Sequence, residues 1–388
     1  MKRISLIIAT FGLLLASPGT VAADPSQQSL AERFDGRFHE LIGREDIPGA
    51  AYAIVTPAQF IRIGVTGHTD LERKRAVDEN TVFRLASVSK TFAAGLAGVI
   101  ANEGAFEWND RLLDYVPDFR IKGDTGLIHV EHLLGQSTGL IPHAYDNLVE
   151  DGLSLERING KFSTLGYLCE PGTCYSYQNV LFSLIQPVIE QSTSSEYATL
   201  MRERLFRPLG MDNASVGLGP LVENPNHAMP HVKSRGQWRT VDVEPNYYRV
   251  APAAGVNASV TDLGRWLMAQ MGSSPAVLPG DVVETLTQPR VRTKRDLRRR
   301  HWRDILTDAH YGLGWRIYTI GEEQIVYHGG WVSGYRADIA WSRRHRIGLA
   351  ILMNAETNHI GELSTAFWMD AFRNLATPSE GLAAPASP

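Results

Sequence analysis

The pattern of apolar and polar positions predicts a sheet that both ends of the chain build. Residues 49–55 and 60–67 form two largely apolar runs with Pro57 in the turn between them, which is typical of paired β-strands. Further strand patterns cover residues 324–328, 335–341 and 347–353. Since early and late strands carry the same signal, we expect one sheet that joins them.

Helical periodicity surrounds these strands and dominates the middle of the chain. Residues 28–43 and 360–375 have the spacing of amphipathic helices. Between about residues 106 and 250, helical patches such as 180–190 and 195–204 are broken by loops rich in Pro and Gly. The middle segment is therefore expected to be mostly helical.

These elements predict one domain over residues 24–376, of the α/β (α+β) class. Its sheet lobe comprises about residues 24–105 and 251–376, and its helical lobe about residues 106–250. A cleft between two such lobes is a natural binding site. Residues 377–388 are rich in Pro, Ala, Ser and Gly, which predicts a disordered tail.

The N-terminus has the pattern of a secretory signal peptide. Lys2 and Arg3 precede an apolar run over residues 4–16, and small residues before Asp24 supply a cleavage site. We expect residues 1–23 to be removed and the protein to be periplasmic or secreted. The alternative is an uncleaved N-terminal anchor, but the apolar run is short for a membrane span, so no stable span is expected.

The charge of the chain weakly disfavours nucleic acid as a partner. Removal of residues 1–23 takes away two basic and no acidic residues, so the net charge changes from −4 to −6. A basic cluster comprises Arg290, Arg292, Lys294, Arg295, Arg298, Arg299, Arg300 and Arg303. In an exported protein such a cluster is typical of a solvated or envelope-facing surface, and no nucleic-acid partner is expected.

Ser87 and Lys90 form an S-x-x-K pair, the strongest chemical signal in the sequence. The small and apolar residues after it predict a buried helix that begins at Ser87 and ends near Gly104, so both side chains share one face. A lysine shielded among apolar neighbours has a lowered pKa and can take the serine proton. Ser87 is therefore a candidate nucleophile. The alternative is a capping serine beside a lysine that extends to solvent.

Tyr177 and Asn179 follow a Pro-Gly-Thr turn and precede a helical pattern. A tyrosine whose pKa a neighbouring cation lowers can relay protons, and Asn179 can bind a substrate amide. The alternative is a core tyrosine with a capping asparagine. Residues 145–147 repeat the tyrosine-x-asparagine spacing, so the spacing alone does not choose between Tyr177 and Tyr145.

His328, Gly329, Gly330 and Trp331 follow a strand pattern late in the chain. Two glycines allow a backbone to lie close to a ligand at this point. The alternative is a plain junction between a strand and a turn.

The only two cysteines, Cys169 and Cys174, lie just before Tyr177. In an oxidising compartment such a pair can close a disulfide bond, the alternative being free thiols. Zinc is not expected without a second cysteine pair. Residues 129–132 read His-Val-Glu-His, but they lack the spacing of a helical zinc motif, and two surface histidines are the expectation.

Gly135 to Gly139 match the G-x-S-x-G elbow of α/β-hydrolases, with Ser137 as a rival nucleophile. That elbow requires a buried strand before the serine and a helix after it. Here Glu131 and His132 interrupt the preceding run, and Pro142 interrupts the segment after the serine.

The order S-x-x-K, then P-G-T-x-Y-S-Y-x-N, then H-G-G resembles the penicillin-recognising serine hydrolases. That family includes class C β-lactamases, D-alanyl-D-alanine peptidases and family VIII esterases. Flanking phrases at residues 132–134, 137–140, 206–211 and 311–315 look similar to the same family. The resemblance covers roughly residues 30 to 375. It implies an antiparallel sheet flanked by helices plus an all-helical lobe.

The resemblance also implies roles for the motif residues. Ser87 is implied as the acylated nucleophile, with Lys90 and Tyr177 as its proton-transfer partners, since the P-G-T context selects Tyr177. Asn179 is implied as a ligand of the substrate amide. The oxyanion hole is implied to be the backbone amides of Ser87 and Trp331.

His328 stands where β-lactamases of this family usually carry the lysine of a K-T-G triad. A histidine is mostly neutral above pH ~6.5, so we expect weaker attraction for a substrate carboxylate and poor β-lactam hydrolysis. Protonation of His328 as the pH falls through ~6.5 is expected to improve carboxylate recognition.

Together these signals predict an exported serine hydrolase that acts through an acyl-enzyme and uses no metal or organic cofactor. The expected substrates are small molecules or peptides with an amide or ester bond, foremost D-amino-acid or peptidoglycan-type peptides of the cell wall. β-Lactams and small esters are alternatives at the same site. A peptidoglycan-binding pseudoenzyme without turnover is the alternative of another class.

Overall fold

An eight-stranded antiparallel sheet is the framework of the protein in the computed structural model, which describes residues 24–375. The strands are β1 Gly49–Val55, β2 Phe60–Gly67, β3 Phe83–Arg84, β4 Ser215–Val216, β5 His231–Ser234, β6 Gln237–Thr240, β7 Val256–Ala258, β8 Val291–Arg292, β9 Asp308–Tyr311, β10 Arg316–Ile320, β11 Glu323–Val332, β12 Tyr335–Ser342 and β13 Ile347–Met353. The large sheet has the order β2-β1-β13-β12-β11-β10-β9-β8. A three-stranded sheet, β3-β7-β4, and a β5-β6 hairpin lie apart from it.

Helices lie on both faces of the large sheet. The α-helices are α1 Pro25–Arg44, α2 Ser89–Asn102, α3 Leu112–Tyr115, α4 Val130–Leu134, α5 Asp146–Glu150, α6 Leu155–Lys161, α7 Ile185–Thr193, α8 Tyr197–Leu200, α9 Leu218–Glu223, α10 Ala251–Ala254, α11 Val260–Gln270, α12 Gly280–Thr287 and α13 His359–Asn374. Short 3₁₀ segments cover Ala86–Val88, Thr125–Leu127, Phe162–Thr164, Phe182–Leu184, Asn246–Val250 and Asp296–Arg298, and Met201–Phe206 is a π-helix.

The two ends of the chain meet in the sheet, as the sequence predicts. β1 pairs with β13 in antiparallel register, with Ala50 opposite Met353 and Val55 opposite Gly348. All seven residues of each strand are buried, because helices cover both faces of the sheet at this point. The predicted antiparallel sheet flanked by helices is therefore confirmed.

Each face of the sheet has its own hydrophobic core. On one face, α1 and α13 pack Phe34 and Trp368 in one cluster with Tyr52 of β1. On the other face, α2 and α11 meet where the rings of Phe92 and Trp266 stack with centroids 4.5 Å apart. The second core supports the helix that carries Lys90.

Helical periodicity in the middle of the chain overestimates the helix. The predicted helix over 195–204 divides into α8 and the following π-helix, and the one over 180–190 begins with a 3₁₀ segment. Residues 231–240 form the β5-β6 hairpin, because Arg235 and Gly236 both adopt positive φ angles that suit a tight two-residue turn. The lobe boundaries stay a prediction.

Within residues 24–375, no helix has the length and apolar character that a membrane span requires. The predicted signal peptide over 1–23 and the predicted tail over 377–388 lie outside the described residues.

Gly95 in α2 offers a test of the packing beneath Lys90. A Cβ atom at Gly95 would lie 2.5 Å from the ring of Trp266, which is held by a stacked Phe92 and a hydrogen bond to Thr91. We expect Gly95→Ala to lower the free energy of unfolding by about 1–3 kcal/mol through overpacking, although alanine favours a helix by about 1 kcal/mol. Urea denaturation measures the change.

Gly36 in α1 is the matched control. It is exposed, and a Cβ atom there would meet nothing within 4 Å. Gly36→Ala is therefore expected to raise the free energy of unfolding by about 0.5–1 kcal/mol. Stabilisation by both substitutions would contradict the packing described for α2.

Candidate active site

Ser87 lies in a sharp turn between β3 and α2. Ala86, directly before it, has a backbone φ of 49°, in the left-handed region that costs a non-glycine residue about 1–2 kcal/mol. The helix does not begin at Ser87 as predicted, because Ala86–Val88 forms a 3₁₀ turn and α2 starts at Ser89. The half-buried Ser87 side chain lines a cavity of about 910 Å³.

Lys90 lies one turn further on and is completely buried. Its Nζ donates hydrogen bonds to Asn179 Oδ1 at 2.7 Å, to the backbone oxygen of Ala253 at 3.1 Å and to Ser87 Oγ at 3.4 Å. Burial lowers the pKa of the Lys90 amine, as the sequence predicts. The amine is therefore near the serine hydroxyl and more readily neutral than an exposed lysine.

Tyr177 is the third member of the group that contains Ser87 and Lys90. Burial alone would raise the pKa of its hydroxyl, but the charges of Lys90 and Arg316 and hydrogen bonds with Lys90 and Ser87 outweigh burial and lower the pKa below 10.0. Lys90 Nζ lies 4.7 Å from the centre of the Tyr177 ring. Serine, lysine and tyrosine thus lie in one cluster, in which a proton can pass between three groups.

The two rival motifs lie elsewhere. The Tyr145 hydroxyl donates to the backbone oxygen of Lys161 at 2.8 Å, and its ring packs edge-on against Phe162, so it does not line the cavity. Ser137 follows the helix α4, and it is buried away from the cavity. A helix therefore stands where a nucleophile elbow requires a strand.

Asn179 connects Lys90 to an acid that sequence reasoning missed. Its Oδ1 accepts from Lys90, while its Nδ2 donates to Asp146 Oδ2 at 2.9 Å. His143 Nδ1 lies 2.9 Å from the same carboxylate oxygen, and Arg295 lies 3.2 Å from His143 Nε2. Asn179 keeps one N–H and one lone pair for a substrate amide.

Strand β11 lies directly against the Ser87 turn. A Cβ atom at Gly330 would lie 2.1 Å from the backbone oxygen of Leu85 and 3.3 Å from the amide nitrogen of Ser87. Only glycine fits such an approach. The next residue, Trp331, is 60% exposed at the edge of the cavity. The predicted glycine pair therefore allows β11 to lie close to the Ser87 turn of the same chain.

His328 does not behave as the sequence suggests. It is completely buried, its Nδ1 lies 3.0 Å from the backbone oxygen of Gly329, and its Nε2 lies 3.1 Å from both the Tyr311 hydroxyl and Arg316 Nη1. Burial, together with the charges of Arg316 and Lys90, lowers the pKa of His328 well below 6.5. The expectation that this histidine protonates near pH 6.5 and attracts a carboxylate is wrong.

Arg316 is the permanent cation at this point, and sequence reasoning missed it. Its Nε donates to Asp296 Oδ2 at 3.0 Å, and its Nη2 donates to the Tyr175 hydroxyl at 3.3 Å. Only 9% of the residue is exposed, at the cavity wall. The signal available was its position directly after the phrase over 311–315, at the start of β10.

The basic cluster over 290–303 is only partly a solvated surface. Arg295, Arg299 and Arg300 line the cavity, whereas Arg298 lies exposed outside it. The loop after β8 forms part of the cavity wall and carries these three arginines. Charge spacing alone does not indicate which residues of a loop face inward.

The structure joins Cys169 and Cys174 by a disulfide bond, with their Cα atoms 6.4 Å apart. This small loop leads directly into Tyr175 and Tyr177. In residues 24–375, no group of three or more His, Cys, Asp and Glu side chains is arranged to hold a metal ion.

Comparisons with known proteins find similar chains. A family model described as Beta-lactamase matches residues 34–368. The protein named Beta-lactamase from Escherichia coli (strain K12) is 26% identical over 319 residues, which cover 81% of this chain and 77% of that protein. Unguisins hydrolase ungD from Aspergillus violaceofuscus is 24% identical over 360 residues, which cover 86% of this chain and 63% of the hydrolase. This chain thus spans less than two thirds of that hydrolase.

A solved structure supports the fold. The octameric penicillin-binding protein homologue from Pyrococcus abyssi superposes with a TM-score of 0.76 over 91% of this chain and 79% of that chain. At 20% sequence identity, this likeness shows the fold alone.

The burial of His328 can be tested by the pH titration of its ring. A solvent-exposed histidine titrates near pH ~6.5, but burial and the nearby charges of Arg316 and Lys90 hold the pKa of His328 well below that value. We expect its ring proton resonances in NMR to stay constant from about pH 8 to about pH 5. The unfolded chain does bind this proton, so His328 also reduces stability as the pH falls below ~6.5.

His328→Gln provides the assignment, because the resonance that disappears in this variant belongs to His328. A titration midpoint near pH ~6.5 for that resonance would contradict the neutral histidine and restore its role as a switchable cation.

Proposed function

We propose that this chain, which belongs to the beta-lactamase family, is an exported serine hydrolase that cleaves amide or ester bonds through an acyl-enzyme. The observation that carries the proposal is the cluster of Ser87, Lys90 and Tyr177, in which a buried amine lies 3.4 Å from the serine oxygen. A capping serine would not need a buried amine, and a lysine that extends to solvent would not be completely buried.

In the proposed acylation step, Ser87 Oγ attacks the carbonyl carbon of the substrate. Its proton passes to the Lys90–Tyr177 pair, whose pKa values are both lowered. The tetrahedral oxygen accepts hydrogen bonds from the backbone amides of Ser87 and Trp331, a pair of donors that is worth several kcal/mol in such sites. The tight contact of Gly330 with the Ser87 turn supports this pairing.

The bond to the leaving group then breaks, and Tyr177 returns the proton to the leaving nitrogen or oxygen. A water molecule attacks the ester carbonyl carbon in the second step, and the same pair takes its proton. The acid leaves and Ser87 regains its proton, so atoms and charges balance over the cycle. No metal or organic cofactor enters these steps.

The leading substrates we propose are D-amino-acid or peptidoglycan-type peptides and related amides. Arg316 supports a substrate that ends in a carboxylate, since its guanidinium lies beside His328 at the cavity wall, where Asp296 at 3.0 Å offsets part of its charge. The same guanidinium makes β-lactams a second candidate class, because its remaining donors can bind the carboxylate that the histidine does not attract. The cell wall as a partner stays part of this proposal.

Export is proposed on two observations. The N-terminal pattern is typical of a signal peptide, and the disulfide bond between Cys169 and Cys174 suits an oxidising compartment. A periplasmic or secreted location agrees with both.

Covalent labelling tests the nucleophile. We expect a fluorophosphonate probe and a penicillin to add mass to the wild-type protein, because an activated serine attacks both. Ser87→Ala should abolish this added mass and all turnover, while Ser137→Ala should leave both intact. Intact-mass spectrometry measures the result.

The reverse pattern would overturn the proposed site in favour of the elbow serine. A protein that no probe labels, in wild type or variant, would instead match the non-catalytic pseudoenzyme.

Substitution of the tyrosine tests proton transfer. Tyr177→Phe removes the hydroxyl that contacts Lys90 and Ser87, so we expect kcat to fall by about 10²-fold or more with the fold preserved. Tyr145→Phe is the control, because its hydroxyl bonds only to the Lys161 and Thr164 region outside the cavity. Equal losses in the two variants would refute the role proposed for Tyr177.

A further inference from the structure

The cavity that Ser87 lines includes a second region, whose side chains take no part in the proposed chemistry. This region lies between the loop after β8, the β11-β12 hairpin and the start of α13. We name it the arginine arm, which comprises Arg299, Arg300, Trp302, Trp331, Arg336 and Asn358. Gly329 and Gly330 line the same cavity as this arm and Ser87.

Two arginines of the arm come from the loop after β8. Arg299 donates to the hydroxyls of Tyr318 at 2.8 Å and Tyr327 at 3.5 Å, and both partners are uncharged. Arg300 is exposed and makes no hydrogen bond or ion pair within residues 24–375. Neither guanidinium is neutralised by a carboxylate in direct contact within these residues.

Arg336 enters the arm from β12 and is 8% exposed. Its Nε donates to the backbone oxygen of Thr357 at 2.8 Å, and its Nη2 donates to Asn358 Oδ1 at 3.2 Å. Its Nη1 has no partner in the part of the chain that the structure describes. Burial lowers the pKa of Arg336 to about 10, so the group still carries its charge at neutral pH.

Two acids, Asp338 and Glu356, line the cavity beside the arm. Asp338 accepts hydrogen bonds from the Tyr327 hydroxyl at 2.9 Å and from Ser364 Oγ at 2.8 Å, and burial raises its pKa. Glu356 accepts from the Gly334 amide at 3.4 Å. Within the described residues, no ion pair joins an arm arginine to either acid. Both carboxyl groups still act on the charge of Arg336, but Arg299, Arg300 and Arg336 outnumber them, and a concave wall with excess positive charge concentrates anions.

Trp331 adds a flat apolar surface to the same region. The Arg336 guanidinium lies 4.2 Å from the centre of its ring, which fixes the ring by a cation–π contact. Since the residue is still 60% exposed, a large part of the ring is open to a ligand. The arm thus offers fixed donors beside a surface for stacking or apolar contact.

We propose that the arginine arm is a second subsite, which binds a carboxylate carried by the substrate at some distance from the bond that Ser87 attacks. The arm is distinct from Arg316, which is held by Asp296 and His328. The assignment to a substrate rests on the proposed function, whereas the binding of a carboxylate in the arm does not. Substrates with a second, distal carboxylate are therefore preferred over their neutral counterparts.

Matched ester pairs test this preference. For the acyl side, p-nitrophenyl hemiglutarate is compared with p-nitrophenyl pentanoate, and for the leaving group, 4-acetoxybenzoate with phenyl acetate. The ratio of kcat/KM, anionic over neutral, is measured for wild type and variants, so that the intrinsic reactivity of each ester cancels. We expect Arg300→Gln to lower the ratio about fivefold in at least one pair, and Arg336→Gln to lower it at least as much.

Arg298→Gln is the control, because it removes the same charge from the same loop outside the cavity. It should leave both kcat/KM values unchanged. Added salt should reduce the wild-type preference. If Arg336→Gln does not fold, as judged by its melting curve, Arg300→Gln decides alone. A ratio that is unchanged in Arg300→Gln, or equally reduced in Arg298→Gln, overturns the proposal.

Binding of glutarate separates this proposal from the proposed function. Isothermal titration of wild type and Arg300→Gln with glutarate needs no catalysis, and weaker binding to the variant supports the arm. If Ser87 is not labelled but glutarate still binds more weakly to Arg300→Gln than to wild type, only the hydrolase assignment is overturned. If Ser87 is labelled and neutral esters are hydrolysed, but wild type shows neither a carboxylate preference nor a difference in glutarate binding from Arg300→Gln, only the proposal for the arm is overturned.

Discussion

The burial of the Lys90 amine is the constraint on which the candidate site depends. Taking an ammonium out of water costs several kcal/mol, and the oxygens of Asn179, Ala253 and Ser87 offset that cost only if all three lie within reach. These oxygens come from the turn before α2, from α10 and from the segment before α7, which links distant parts of the chain. The same burial lowers the pKa of the amine and so favours loss of its proton. Burial of this one group therefore costs stability but supports the proposed chemistry.

The residues around that amine are held in fixed positions. Ala86 is held in a left-handed conformation, and Gly330 approaches the turn so closely that no side chain fits between them. Both features cost free energy locally, and the packed helices α2 and α11 sustain them. Groups that must align within a fraction of an ångström benefit from such support.

The sequence predicts the features that local patterns encode. The bounds of β1 and β2 follow from two apolar runs around Pro57, and the cluster of Ser87, Lys90 and Tyr177 follows from short motifs whose order is specific. Asp146 and Arg316 were missed because their importance arises only from tertiary contacts. The prediction for His328 is wrong for the same reason, since its pKa depends on burial and on a cation supplied by a neighbouring strand. Sequence alone also does not indicate which arginines of a loop turn inward.

The pairing of β1 with β13 has a consequence for synthesis of the protein. The Ser87 turn rests against β11, and the central strand pairs are completed only by residues up to Met353. A nascent chain whose Ser87 and Tyr177 have already left the ribosome still lacks the strands that hold them in place. Such a chain carries every proton-transfer group but lacks the long-range strand pairs that support them, so we expect the site to form late in folding. Translation products that stop before β13 would therefore be inert, whatever motifs they contain.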